Sequence, residues 1–300
     1  MTKETAPITD PKLNALLIGG GSTYGNGKDL AEQGELLSVG LEMTGEQKPE
    51  VLIVPSARWI KEGPIDTIVG RFVDHYKSLG VNARPLHGFL YEPHEILYPT
   101  IEEMPVVDSR MPSHDELEER IRKANLIFTL GGDSHRMLQA VWKPYGIDGM
   151  MTDAIHSGTI VSGSSAGMLY PFANMQTDAS SLKTPEDKDF HVTEGLGLIP
   201  DTVAAAHYDT TPKDNPGHPR KEDFEARMAD RRELGELGIG VDEHAALQIV
   251  NGGILRVVAG WDNGSSPRQV HTIHYRDPNQ APVMRDLGPQ DDTFTTADLV

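Results

Sequence analysis

Cysteine is absent from the 300-residue sequence. This absence excludes a disulfide scaffold, a zinc ribbon, an iron–sulfur cluster and a cysteine nucleophile. Cationic residues are scarce, because 27 Lys and Arg stand against 45 Asp and Glu and give a formal net charge of −18. Nucleic acids and anionic membranes are bound through basic surfaces, so neither is expected to be the main partner.

Long apolar runs and several cofactor motifs are missing as well. No stretch of 18 apolar residues occurs, which predicts that no helix crosses a membrane. The first 12 residues are too polar for a signal peptide, so a cytoplasmic location is expected. Tyr24 stands where the third glycine of a dinucleotide-binding fingerprint would be, and no P-loop is present.

Short apolar runs alternate with helical patterns along the chain. Three of these runs each lead into a turn and then a helical or amphipathic segment, namely Ala15–Ile18, Val51–Val54 and Leu126–Leu130. Such repetition predicts an α/β fold in which helices cover both faces of a mostly parallel, twisted sheet.

No break in composition divides the chain, so a single domain is predicted over residues 13–276. Residues 1–12 are expected to form a flexible tail. The proline-rich stretch 91–112 is expected to be a surface insertion, and residues 277–300 a loosely ordered tail.

A nucleophile motif follows the predicted strand Thr159–Ser162. Gly163-Ser164-Ser165-Ala166-Gly167 matches G-x-S-x-G, in which a sharp strand-to-helix turn exposes a serine hydroxyl. A glycine-rich turn with an incidental serine would give the same letters. A serine also needs a base to become a nucleophile.

Two further groups stand at the ends of predicted strands. His207 follows Val203–Ala206 as a candidate base, and Glu243 follows Ile239–Val241 as the acid that would orient it. In doubly wound sheets such groups meet at the carboxyl ends of the strands. Alone, His207 could equally be a core or surface histidine, and Glu243 could equally be an ordinary exposed carboxylate.

Acyl transfer also requires hydrogen-bond donors for the developing oxyanion. The amide of Ala166, next to the candidate nucleophile, is one candidate. The Gly131-Gly132-Asp133 turn could supply another through the Gly132 or Asp133 amide, although a plain turn or a phosphate cradle would read the same way.

Taken together, the motifs resemble the aspartyl dipeptidase (dipeptidase E) and cyanophycinase family of serine peptidases. The resemblance rests on Leu130-Gly131-Gly132-Asp133, Gly163–Gly167, Gly195–Leu198, His207-Tyr208 and Gly238–Glu243. It implies a flavodoxin-like fold related to class I glutamine amidotransferases, with serine in place of their cysteine. It also implies a Ser165-His207-Glu243 triad, a short peptide as substrate, and no metal or organic cofactor.

The two branches of this family differ in substrate. Dipeptidase E cuts after an N-terminal aspartate, whereas cyanophycinase cuts β-aspartyl-arginine units. Gly217-His218 and Arg220 are similar to the substrate loop of the dipeptidase branch, although Asp223 stands where that loop has its arginine. Asp178 matches an acidic position of the family and is a candidate for the substrate ammonium or a structural cap.

The dipeptidase branch is favoured, with His218, Arg220 and Asp178 as substrate-binding residues. Ala205-Ala206 replaces the Asp-Gln that precedes the histidine of cyanophycinases, although Asp133 is the cyanophycinase-like form of its turn. A cyanophycinase-like or isoaspartyl peptidase is the alternative.

Two other classes compete with the peptidase. An α/β-hydrolase esterase would place its acid before its histidine, whereas His207 precedes Glu243. A catalytically silent binding protein of the same fold is the third hypothesis. A homodimer is kept as a candidate assembly.

Overall fold

The computed structural model describes residues 10–20, 28–54, 65–86, 89–90, 106–107, 112–132, 134–177, 191–210, 220–234, 236–259, 268–289 and 294–295. Most of the predicted N-terminal tail and of the 91–112 insertion lies outside these ranges. Within them, no helix combines the length and apolar character needed to cross a bilayer.

The described strands alternate with helices for the first two thirds of the chain. The strands are β1 (Ala15–Ile18), β2 (Glu50–Val54), β3 (Asn82–Pro85), β4 (Phe89–Leu90), β5 (Val106–Val107), β6 (Leu126–Thr129), β7 (Ile160–Ser164), β8 (Phe172–Thr177), β9 (His191–Glu194), β10 (Ile199–Ala206), β11 (Leu237–Val241), β12 (Ala245–Val250), β13 (Ile254–Ala259), β14 (Val270–His274), β15 (Val283–Leu287) and β16 (Phe294–Thr295). The helices are α1 (Lys28–Met43), α2 (Ile65–Ser78), α3 (His114–Lys123), α4 (Ser134–Arg136), α5 (Lys143–Tyr145), α6 (Ile147–His156), α7 (Ala166–Leu169) and α8 (Arg220–Asp230). A π-helical segment, Met137–Trp142, joins α4 to α5, and a 3₁₀ turn, Arg232–Leu234, follows α8.

Among the described residues the strands form two large mixed sheets and the short β4–β5 ladder. The larger sheet has the order β16-β13-β12-β1-β7-β6-β2-β3, and the smaller has β15-β14-β11-β10-β8-β9. In the larger sheet, neighbouring strands run parallel from β1 through β7, β6 and β2 to the edge strand β3. In the smaller sheet, β8, β10 and β11 are parallel. The remaining pairs in both sheets are antiparallel.

The predicted α/β class is confirmed, but the single, mostly parallel sheet of flavodoxin-like type is not. The connection from β12 to β13 spans only residues 251–253. Because a parallel neighbour needs a crossover of a dozen residues or more, such a short turn can join only antiparallel strands. The connection from β14 to β15, residues 275–282, is also too short for parallel neighbours.

Helices cover both faces of the larger sheet. Leu16 and Ile18 of β1 face an apolar cluster with residues of α1 and α2. Ala15 and Leu17 point the other way, into a cluster shared with α3, α6 and strands of the smaller sheet. This alternation follows from the two-residue period of a strand, and it leaves β1 buried at the centre.

Two described strands, β15 and β16, lie within residues 277–300, for which the sequence predicts a loosely ordered tail. β15 pairs with β14 from Val270↔Leu287 to His274↔Val283, and β16 pairs with β13. β15 is an edge strand with three exposed positions at its centre. Because these residues are exposed, β15 shows little of the apolar pattern by which a strand is recognised in a sequence.

Candidate active site

Ser165 lies at the turn between β7 and α7, where the backbone is strained. Its φ is 57° and its ψ is −126°, a combination rare for residues other than glycine. A Cβ atom at Gly163 would lie 1.9 Å from the carbonyl oxygen of Gly167, and one at Gly167 would lie 2.1 Å from that of Thr129. Both glycines of the G-x-S-x-G pattern are thus steric requirements of this turn.

His207 and Glu243 lie directly after β10 and just beyond β11, beside the serine. The Nε2 atom of His207 is 2.6 Å from Oγ of Ser165, and its Nδ1 atom is 2.6 Å from Oε1 of Glu243. In the tautomer that satisfies both contacts, the serine hydroxyl donates to Nε2 and the Nδ1 proton is donated to the carboxylate. The structure therefore brings together the three side chains that the sequence singles out.

The three residues come from both large sheets. Ser165 follows a strand of the larger sheet, whereas His207 and Glu243 follow strands of the smaller one. The turn that carries Glu243 then leads into β12, which returns to the larger sheet. The candidate site is consequently a junction between the sheets.

Electrostatics keep Glu243 ionised. The hydrogen bond from His207 lowers the pKa of the Glu243 carboxyl and outweighs partial burial, which would raise it. The Glu243 N–H donates to Oδ1 of Asp209 at 2.8 Å, and Asp209 also pairs with Arg268. Burial raises the pKa of Asp209, while these two partners oppose the rise.

The neighbouring carboxylate, Asp242, is engaged elsewhere. Its Oδ1 atom lies 3.0 Å from Nε2 of His271, and its Oδ2 atom accepts the N–H of Gln269 at 3.0 Å. Nδ1 of His271 lies 2.7 Å from Asp286. Burial lowers the pKa of His271, but the two carboxylates outweigh it and the net shift is upward. Glu243 is thus the carboxylate in hydrogen-bond contact with His207.

The predicted oxyanion donors are placed in part. Ala166 is the first residue of α7, where an N–H has no acceptor within its own helix. Gly131 lies against the serine, because a Cβ atom there would be 2.8 Å from Cβ of Ser165. Gly132 follows with a φ of 151°. Asp133 lies outside the described residues.

Of the predicted substrate-binding residues, only Arg220 is described, since Asp178 and His218 lie outside the described ranges. Arg220 begins α8, and its N–H donates to the carbonyl oxygen of Thr210 at 3.1 Å. The N–H of Thr210 donates in turn to that of His207 at 3.0 Å. The start of α8 is therefore anchored two hydrogen bonds from the candidate base.

Sequence reasoning overlooks Asp209 and Arg268, which hold the Glu243 turn. Asp209 stands two residues after His207, a signal that could have been noticed, whereas Arg268 is 59 positions further along the chain. Among the described residues no group of three His, Asp or Glu side chains is arranged to hold a metal ion.

The model of peptidase family S51 matches residues 100–257. The uncharacterized peptidase YgaJ of Bacillus subtilis (strain 168) is 22% identical over 234 residues, covering 78% of this chain and 84% of that protein. The fold is similar to that of a peptidase from an acI-B1 Actinobacterium, with a TM-score of 0.58, 18% identity and coverage of 94% and 96%. A putative peptidase E protein from Listeria monocytogenes EGD-e has a TM-score of 0.51 at 18% identity, covering 82% and 96%.

Proposed function

Since the chain belongs to peptidase family S51, we propose that it is a serine exopeptidase that hydrolyses short peptides. The observation that carries this proposal is the pair of 2.6 Å contacts that links Ser165, His207 and Glu243. A serine held in a strained turn, a histidine on its hydroxyl and an ionised carboxylate on that histidine together form a nucleophile that can be activated.

In the proposed acylation step, Oγ of Ser165 attacks the scissile carbonyl while its proton passes to Nε2 of His207. Glu243 stabilises the imidazolium that forms. The carbonyl oxygen becomes an oxyanion, for which the amides of Ala166 and of the Gly132–Asp133 turn are the proposed donors. Collapse of the tetrahedral intermediate breaks the C–N bond, and His207 returns the proton to the departing amine.

Deacylation repeats the same roles with water. His207 removes a proton from water as it attacks the ester carbonyl, and it then protonates Oγ of Ser165 as that oxygen leaves. The products are the amine released earlier and a carboxylic acid, which keeps the second proton of the water and then loses it to the solvent, so every proton is accounted for.

Dipeptides with an N-terminal aspartate are the proposed substrates. Arg220, at the start of a helix anchored near His207, is the proposed partner of the substrate carboxylate, with His218 and Asp178 as further contacts. The similarity to the putative peptidase E protein from Listeria monocytogenes EGD-e is in line with this branch. Isoaspartyl dipeptides and β-aspartyl-arginine are the competing substrates.

The test is a turnover assay of Ser165→Ala against wild type, with the exposed Ser157→Ala as matched control. The substrates are Asp-X, isoaspartyl, β-aspartyl-arginine and neutral dipeptides, together with a nitrophenyl ester. We expect Asp-X turnover to fall by about 10⁴-fold or more in Ser165→Ala only. Equal turnover in that variant refutes the nucleophile, and wild-type activity on the ester alone favours an esterase. No turnover of any substrate by wild type favours a silent binding protein.

Arg220→Ala tests the aspartate preference within the same assay. Losing a charge-assisted hydrogen bond of about 1.5–3 kcal/mol should lower kcat/KM for Asp-X by roughly 10-fold to 100-fold, with neutral dipeptides unaffected. Arg227→Ala is the control, since it removes an equal charge about 10 Å further along α8. Equal losses for charged and neutral substrates would argue against a contact with the aspartate.

A further inference from the structure

The segment Ile18–Gly20, which ends β1 and continues two residues beyond it, lies between the three members of the triad. Its three consecutive carbonyl oxygens each accept a hydrogen bond from a turn that carries one of these members. The carbonyl oxygens of residues 18, 19 and 20 accept, in that order, the N–H groups of Ser165, His207 and His244 at 3.0, 2.9 and 3.1 Å. His244 directly follows Glu243. One short backbone segment therefore contacts the turn that carries each of the three side chains.

These contacts join the two sheets at the site. β1 and β7 belong to the larger sheet, whereas His207 and Glu243 are carried by the ends of β10 and β11 in the smaller one. The distance between the serine and its base therefore depends on how the two sheets meet. The hydrogen bonds that the carbonyl oxygens of Ile18–Gly20 accept fix that meeting point.

Gly20 has a second, steric relation to the base. A Cβ atom built at this position would lie 2.1 Å from Cε1, 2.5 Å from Nδ1 and 2.7 Å from Nε2 of the His207 ring. Ordinary contact begins near 3.4 Å, so any side chain at position 20 would force the imidazole to retreat by more than an ångström. Gly20 also has a φ of 138°, which favours glycine.

Gly19 shows the same close approach, but to backbone. A Cβ atom there would lie 2.1 Å from the carbonyl oxygen of Asp242. Backbone cannot move aside as a side chain can, so substitution at position 19 is expected to disturb folding. Position 20 is the one at which the effect on the triad can be measured.

We propose that Gly20 is a positioning residue of the triad. Because glycine has no side chain, it leaves the space in which the His207 imidazole lies between Ser165 and Glu243. This inference rests on the proposed peptidase function. It assigns a role to the glycine-rich end of β1, which matches neither a dinucleotide-binding fingerprint nor a P-loop.

Gly20→Ala is the test, with Gly158→Ala as matched control. Gly158 also has a positive φ, 99°, but a Cβ atom there would meet no atom within 4 Å. Displacing the base by an ångström should lower kcat by about 10²-fold to 10³-fold with KM nearly unchanged, and the low-field NMR resonance of the His207 Nδ1 proton should be lost. The control should keep both. Unchanged kcat and resonance in folded Gly20→Ala would overturn the proposal.

A thermodynamic cycle with His207→Ala covers the case in which Gly20→Ala is poorly folded. If the alanine at position 20 acts through the ring, it should lower Tm less once the ring is removed, and it should cost no further activity. Equal losses in Tm in both backgrounds would overturn the proposal. The resonance and the Tm cycle need no substrate, so they test it even if wild type hydrolyses no peptide, an outcome that would count against the proposed function instead.

Discussion

Replacing Glu243 by glutamine would remove one charge while keeping the size of the side chain. The carboxylate accepts a 2.6 Å hydrogen bond from Nδ1 of His207 and is partly buried. Two consequences follow for catalysis. The imidazolium formed during attack by Ser165 loses its counter-charge, and the amide group of glutamine can donate to Nδ1, which would leave the proton on Nε2 and prevent His207 from accepting the serine proton.

The size of the first effect can be worked from the contact. Two unit charges centred about 4 Å apart attract each other by about 4 kcal/mol at an effective dielectric constant of about 20. Because each 1.36 kcal/mol changes a rate tenfold, the lost charge alone should lower kcat by roughly 10³-fold. The wrong tautomer should bring the total to about 10⁴-fold, as in serine proteases whose aspartate is replaced by asparagine.

The assay is steady-state hydrolysis of the best dipeptide substrate, with circular dichroism and Tm to verify the fold. Glu225→Gln is the matched control. Glu225 is also a partly buried carboxylate near the site, but it accepts a hydrogen bond from the Tyr208 hydroxyl at 3.0 Å, which glutamine can still accept. A loss of less than tenfold in correctly folded Glu243→Gln would refute the reasoning and assign the orienting role to another acid.

Two further substitutions probe the surroundings of the triad. Gly131→Ala should place a methyl group 2.8 Å from Cβ of Ser165 and lower kcat by about 10²-fold, whereas Gly149→Ala, with no atom within 4 Å, should not; equal rates would contradict the crowding. His271→Ala should lower the free energy of unfolding by about 1.5–3 kcal/mol at pH 5.5, because a buried aspartate loses a charged partner. Since the pKa of His271 is raised above 6.5 in the fold, this contribution is complete below pH 6.5 and is lost as pH rises through the folded pKa. A wild-type-to-variant difference in urea unfolding that stays constant up to pH 9 would contradict it.

Features set by neighbours in the sequence are the ones that could be predicted. The helix start at Ser113 is an example, because a serine followed by a glutamate three residues later is the pattern of a capped helix start. In the structure the Ser113 side chain accepts the N–H of Glu116 at 3.4 Å. The crowded turn around Ser165 is another, since a Cβ atom at Gly163 would lie 1.9 Å from the carbonyl oxygen of Gly167, four residues later. In both cases the physical requirement acts over a few residues, so it leaves a readable pattern.

The division into two sheets could not be predicted, because it depends on where each strand pairs. Helix α7 has only four residues and ends at its cap, Tyr170. Pro171 follows, and the chain then enters β8, which belongs to the smaller sheet. A sequence shows that a strand is present but not which neighbour it will have. Ser165, His207 and Glu243 lie together at strand ends, as the sequence leads one to expect, although their strands belong to different sheets.

Charged partners that are distant in the chain were equally out of reach. Asp209 and Arg268 are 59 residues apart, and His271 is 29 residues from Asp242. Each could stand as an ordinary surface charge in a sequence of this composition. The pairing of β11 with β10 on one side and with β14 on the other brings them together next to Glu243.

Strain and restraint are balanced at the junction of the sheets. Ser165 and His207 have φ values of 57° and 54°, and such conformations cost of the order of 1–3 kcal/mol each. They persist only where surrounding contacts over-determine the backbone. The N–H groups of both residues are held by consecutive carbonyls at the end of β1, so the segment that joins the sheets also holds the two strained residues. A side chain at position 20 would set these requirements against each other, because the backbone bonds draw His207 toward β1 while the added atom would push its ring away.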